Sequence, residues 1–196
     1  MVLLCVVALS AISGCATSPK LSLPSGDGQA AQSRLYDLPY WKAEGRLGVK
    51  ASEGAWNANL FWEHEKAQDR VRISGPFNQG GVSIILQDDL IYINEGNGVT
   101  ELAHDPRASL KRRLGFEVPV ESLRYWMLGL PAPDDAAILA AAGGSASRGF
   151  VQQGWTMSFE RFEPFAGGEV PKKISLTGNR VKLKLIIDSW MERQSP

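Results

Sequence analysis

The sequence predicts a mainly β protein with a few helices (α+β), built as a half-open antiparallel barrel closed by helices. Three observations carry this. From about Tyr40 apolar residues recur with period two in short runs separated by turn residues. Two helix signals interrupt the runs in mid-chain. Of the 196 residues, 44% are hydrophobic and six are tryptophan, enough for a core that a single curved sheet cannot cover by itself.

Taken in order, the chain opens with an apolar run, Val2 to Ile12. A transmembrane helix needs roughly twenty residues, so this run suits the apolar part of a signal peptide instead. It ends in Ile12-Ser13-Gly14-Cys15, which resembles the lipobox of bacterial lipoproteins. That resemblance implies cleavage before Cys15 and lipid on its thiol. Ala16 to Ser33 is rich in Ser, Pro, Gly and Ala and reads as a flexible tether. The expected division is residues 1–14 as signal peptide, 15–35 as lipidated N-terminus and tether, and 36–196 as the barrel domain. Lipoproteins retained in an inner membrane usually carry Asp after the cysteine. Ala16 stands there, which by the same resemblance points to the outer membrane.

The strands follow. Arg46 to Lys50 alternates, and Trp56, Ala58, Leu60 and Trp62 share one face. Val71 and Ile73 come next, then Val82, Ile84 and Leu86, then Leu90 to Asn94 after an Asp88-Asp89 turn, then Val99 to Leu102 after Gly96-Asn97-Gly98. Asp105-Pro106 has the form of an N-cap followed by proline at the first helical position; Leu110 and Leu114 lie one turn apart, and Gly115 is the stop. Pro119 opens a second helix with Val120, Leu123, Trp126 and Met127 as its apolar stripe, ended by Gly129 and Pro131. Asp134 to Gly149 reads either as a helical run or as a loop. Trp155, Met157 and Phe159 then alternate, and Ile174 and Leu176 lead through Thr177-Gly178-Asn179 into Val181, Leu183, Leu185 and Ile187. The total is about ten strands and two to three helices.

Several function classes are disfavoured. Basic and acidic residues balance at 21 each, without the basic excess of a nucleic-acid protein. Both cysteines lie in the first fifteen residues, so the body has neither disulfide nor thiol site. Of the two histidines, His64 falls in Glu63-His64-Glu65-Lys66, read as a polar turn, and His104 sits beside a helix start; neither has a second histidine at metal spacing. The hydrolase elbow and the phosphate-binding glycine loop are both missing. The expectation is a protein without enzymatic activity, metal or cofactor other than the lipid on Cys15, and a monomer.

The remaining signals are apolar. Trp56, Trp62, Trp126, Met127, Trp155 and Trp190 are the candidates for the wall of an acyl-chain cavity, since Trp suits an apolar wall with a wet edge; ordinary core packing is the commoner account of any single one. Gly75-Pro76-Phe77, followed by Asn-Gln-Gly-Gly, places an apolar side chain in a loop between two strands. It either folds back on the barrel or projects as a wedge. Arg112, Arg113, Lys172, Lys173, Lys182 and Lys184 are cations available to lipid headgroups or a partner, with a solvated surface the ordinary account of most.

At these residues the chain resembles the LolB family of outer-membrane lipoprotein receptors, from about Trp41 to Trp190. The resemblance lies in Phe61-Trp62, Gly75-Pro76-Phe77, Gly154-Trp155, the closing Val181 to Trp190 and, most specifically, Leu123-Arg124-Tyr125-Trp126-Met127-Leu128-Gly129-Leu130-Pro131. It implies a half-open antiparallel β-barrel covered by a helical lid and enclosing a hydrophobic cavity, the periplasmic chaperone LolA as a partner, lipoprotein acyl chains as cargo and outer-membrane phospholipid as the destination. It also implies that Phe77 occupies the place of the family's membrane-inserting loop residue, usually Leu. Two other readings are a lipid-anchored envelope binding module with no transfer activity and a lipid-modifying hydrolase.

Overall fold

The structure is a computed structural model that describes residues 27–52, 54–75, 81–88, 90–96, 100–139 and 148–192. Its elements are α1 (Asp27–Tyr36), β1 (Tyr40–Ala51), β2 (Gly54–Glu65), β3 (Gln68–Ser74), β4 (Val82–Gln87), β5 (Leu90–Asn94), β6 (Thr100–Ala103), α2 (Pro106–Leu114), α3 (Val120–Met127), β7 (Ile138–Leu139), β8 (Arg148–Gln152), β9 (Trp155–Phe165), β10 (Gly168–Gly178) and β11 (Val181–Met191). All the strands form one antiparallel sheet of eleven in the order β6-β5-β4-β3-β2-β1-β11-β10-β9-β8-β7. The sheet therefore grows outward from β1 in sequence, then resumes at its opposite edge and returns to pair β11 with β1. The edges β6 and β7 are not paired with each other, so the barrel is half open.

Local chemistry explains the ladder. The hairpins at Gln153-Gly154, Ala166-Gly167 and Asn179-Arg180 have both central residues at positive φ, the type I′ geometry whose twist matches the flanking strands. The last turn is thus Asn179-Arg180, with Gly178 paired to Val181, one residue later than the Thr-Gly-Asn pattern suggested. At the β1–β11 seam the register slips at Glu44/Gly45, where Asp188 is an extra residue on β11. Such a bulge bends the sheet. It needs Gly45, since a Cβ there would come 2.2 Å from the Ile186 carbonyl oxygen.

The helices lie where the sequence placed them. The Asp105 side chain accepts from the Ala108 N–H, Pro106 starts α2, and Gly115 ends it at φ 78°. In α3, Val120, Ser122, Trp126 and Met127 are buried. A third helix, α1, corrects the tether: residues 27–36 are helical, Leu35 is 1% exposed, and the Tyr36 hydroxyl donates to the Pro131 carbonyl at 3.0 Å. A polar, weakly amphipathic helix has little sequence signal, and it is tertiary packing that holds it. The folded unit accordingly starts before residue 36. The segment from Asp134 contains the short strand β7, and residues 140–147 lie outside the described ones.

One buried amide fastens the lid. Gln152 on β8, 1% exposed, accepts from the Trp126 indole N–H (2.7 Å) and from the Ala132 N–H (2.9 Å), and donates to the carbonyls of Ala132 (2.8 Å) and Asp135 (2.7 Å). Replacing it with Leu keeps the approximate volume but strands these partners. At roughly 1–3 kcal/mol per unsatisfied buried group, partly relieved by water, Gln152→Leu is expected to cost about 3 kcal/mol. Urea unfolding checks this, and a loss under about 1 kcal/mol would contradict it.

Candidate functional site: an apolar cavity under the helical lid

The concave face of β1–β4 and β11 supplies Leu47, Val49, Trp56, Leu60, Trp62, Val71, Ile73, Ile84, Leu86, Leu183 and Leu185 to one cavity. Its roof is Leu110 and Leu114 of α2, Phe116 and Val118 of the linker, and Val120 and Leu123 of α3. Every lining residue is apolar. Strand alternation puts the wall residues on one face, and the helices arrive because the chain must travel from edge β6 to edge β7. The void is about 120 Å³. A dry cavity of roughly 150 Å³ accommodates benzene, so the void as it stands is too small for a long acyl chain.

The structure sorts the tryptophans. Trp56, 41% exposed, stands at the rim, and Trp62 lies deep in the wall. Trp126, Met127, Trp155 and Trp190 are not among the lining residues. Trp126 and Trp155 pack together at 6.5 Å beside Gln152, and Trp190 packs on Trp41 (5.6 Å) and Phe165 (5.7 Å). Their place is the plug and the lid anchor, because a side chain on the core face of a strand or helix meets whichever neighbour topology brings. Gly75, half-buried, accepts at its carbonyl from the Asn59 amide at 3.4 Å. Pro76, Phe77 and Cys15 lie outside the described residues.

Two features escaped the sequence. His64 is not in a turn; β2 runs on to Glu65, and His64 is 7% exposed on the face of Trp62. Its Nδ1 lies 3.0 Å from Asp69 Oδ1, which also accepts from the Trp62 indole N–H at 2.8 Å, and its ring stacks on Trp41. A polar tetrapeptide looked like a turn because its partner, Asp69, stands on the next strand. The carboxylate fixes the deep wall of the cavity by holding Trp62. The second feature is Arg113, which joins α2 to the β5–β6 edge through Glu95 (2.8 Å) and Glu101 (2.6 Å), with Arg112 3.5 Å from Glu101. The lining leucines and valines were legible as core but not as a cavity, since a core face and a cavity wall share one alternation.

A family model described as "Outer membrane lipoprotein LolB" matches residues 39–190. The chain belongs to the LolB family. It is 29% identical to the outer-membrane lipoprotein LolB of Pseudomonas paraeruginosa over 95% of this chain and 94% of the relative, and 30% identical to that of Chromohalobacter salexigens over 94% and 87%. In fold it is similar to a LolA superfamily protein from Nitrosomonas europaea (TM-score 0.53, 12% identity, 86% of this chain and 94% of that one). It is also similar to a putative outer membrane lipoprotein-sorting protein domain from Vibrio parahaemolyticus (TM-score 0.54, 7% identity, 87% and 92%). Membership in the LolB family gives the chain its setting: lipoprotein localisation at the outer membrane.

The ion pairs that hold α2 run from half-buried to exposed, so they are weak and screened by salt. The hydrogen bond from Arg113 holds the Glu101 carboxyl below its ordinary value, against desolvation. A lowered folded value means that the stabilisation is present above the unfolded value and fades as pH falls through the folded one. Arg113→Gln is expected to increase binding of an apolar naphthalenesulfonate dye at neutral pH. In the parent chain the increase should appear only below about pH 4.3, the unfolded carboxylate value, and this acid step should shrink in the variant. Equal dye binding by the two chains at neutral pH would show that the pair does not hold the roof.

Proposed function

We propose that the chain accepts the acyl chains of lipoproteins from the periplasmic chaperone LolA in this cavity and delivers them to the outer membrane without ATP. Cys15 carries its own lipid anchor, and Gly75, Pro76 and Phe77 form the loop that enters the bilayer. The observation that carries this reading is the wholly apolar cavity roofed by two short helices in a chain of the LolB family.

The energetics favour a direct hand-off. A buried methylene contributes about 0.8 kcal/mol, so passing an acyl chain of roughly sixteen carbons through water costs on the order of 12 kcal/mol. Release into the periplasm is then too slow, and transfer runs from one apolar cavity to another. An acceptor that binds more tightly than the donor, followed by a bilayer that binds more tightly still, drives the passage without nucleotide. Binding by dispersion and burial, with no fixed hydrogen bonds, suits chains of differing length.

The test mixes a soluble Cys15→Ala form with chaperone carrying a lipoprotein, with and without liposomes. Cargo should move to this chain and then to the liposomes. Phe77→Glu should retain the fold and cargo receipt while losing liposome delivery. Cargo that stays on the chaperone, where a Pseudomonas relative takes it, would favour a binding module without transfer activity; a Phe77→Glu chain that unfolds would show a packed residue.

A further inference from the structure

Six cations were read from the sequence as available to headgroups or a partner, and the structure separates them. Arg112 and Arg113 pair with Glu101 and Glu95, Lys172 with Glu163 at 3.2 Å, and Lys173 with Glu160 at 2.8 Å. Lys184 contributes to the field that lowers Glu160. Lys184 has no ion pair among the described residues either, but it lies further along the strand; Lys182 stands beside the hairpin tip, where topology adds two more cations. Lys50, on the outer face of β1, is directly opposite Lys182 on β11, and Arg180 is in the turn that precedes β11. All three are exposed, and none has a carboxylate within ion-pair distance among the described residues. Like charges set directly across a ladder are unfavourable, so this pairing costs stability in the free protein.

The position of these cations indicates what compensates. Antiparallel order brings the β1–β2 and β10–β11 hairpin tips to one end of the barrel, together with Gly75 and Gly81 between β3 and β4. Trp56, across the ladder from Val49, is at this same end, on the inner face, and is the exposed member of the cavity lining. The rim is thus an apolar indole inside and, outside at the same level, a row of cations with no ion pair among the described residues. Of the acidic groups near this end, Glu95 and Glu101 are engaged by Arg113, Glu117 by Lys111, and Asp135 by the Gln153 amide. Glu53, in the β1–β2 tip, lies outside the described residues.

We infer that this rim, Lys50, Arg180 and Lys182 around Trp56, is a docking surface for anionic phospholipid, which sets the cavity mouth against the bilayer. Indoles settle at the boundary between headgroup and acyl chain, and each cation near an anionic surface adds about 1 kcal/mol, close to fivefold in affinity. A bilayer offers a plane that meets apolar and cationic groups at one depth, which favours it over an acidic protein face. The inference deepens the proposed function and rests on it for the direction in which the mouth faces.

The test uses the full chain reconstituted into vesicles of phosphatidylcholine, or of phosphatidylcholine with a quarter phosphatidylglycerol, containing lipids brominated on their acyl chains. Quenching lost in Trp56→Phe reports the depth of Trp56, because Trp41, Trp62, Trp126 and Trp155 are buried. That quenching should be at least about twofold greater with phosphatidylglycerol and should fall with salt. In a Lys50→Gln/Lys182→Gln chain it should drop to the phosphatidylcholine level, with Tm unchanged or raised. Equal quenching in both vesicles overturns the inference, as does a double variant that quenches like the parent. Loss of cargo receipt from the chaperone in the double variant, with quenching intact, overturns it in favour of an acidic protein partner. Cargo transfer is scored in parallel: charge-dependent quenching without transfer supports docking and sinks the cavity reading, and transfer with charge-independent quenching does the reverse.

Discussion

A curled sheet that does not close has an apolar concave face and two separated edges, and here the chain leaves one edge at β6 and resumes at the other at β7. Whatever lies between has to cross the open side. Residues 104–137 make that crossing, and because α2 and α3 carry Leu110, Leu114, Val120 and Leu123 toward the sheet, the crossing is also the roof. Covering the apolar face is the main reason the helices are stable at all, since eight- and nine-residue helices are marginal in water. Fold, lid and cavity therefore follow from one topological requirement.

The roof is fastened unevenly. The C-terminal part of α3 and the following turn are tied to β8 through Gln152, whose amide has both oxygen bonds and both N–H bonds satisfied in a dry setting. Breaking that set exposes several buried polar groups at once. By contrast, α2 is held to the β5–β6 edge by partly exposed ion pairs and by apolar contacts facing the void. A cavity of about 120 Å³ has to grow to admit an acyl chain. This asymmetry makes α2 the less firmly held half of the roof and α3 the more firmly held one.

Much was legible from residue order. Alternation located β1 to β6 and β9 to β11 but not β7 and β8, and Asp105-Pro106 and Gly115 bounded α2, because caps and proline act locally. The six tryptophans were legible as apolar weight but not as separate roles. Trp56 and Trp62 line the cavity, Trp126 and Trp155 anchor the lid, and Trp41 and Trp190 plug the barrel. Helix α1 was hidden because its residues are polar, and His64 was read as a turn residue because its partner is on another strand.

What the sequence determined by itself was most of what has a local cause: the period of the longer strands, the ends of α2 and α3, and the lipobox-like start. The tertiary structure decided what depends on meetings between distant residues. It set Lys50 across from Lys182, Gln152 under Trp126 and Asp69 beside Trp62, and it determined which apolar face became a cavity and which became solid core. The physical reason is that a strand's pattern specifies which face a residue is on but not what that face meets, and the meeting partners are set by sheet order and register.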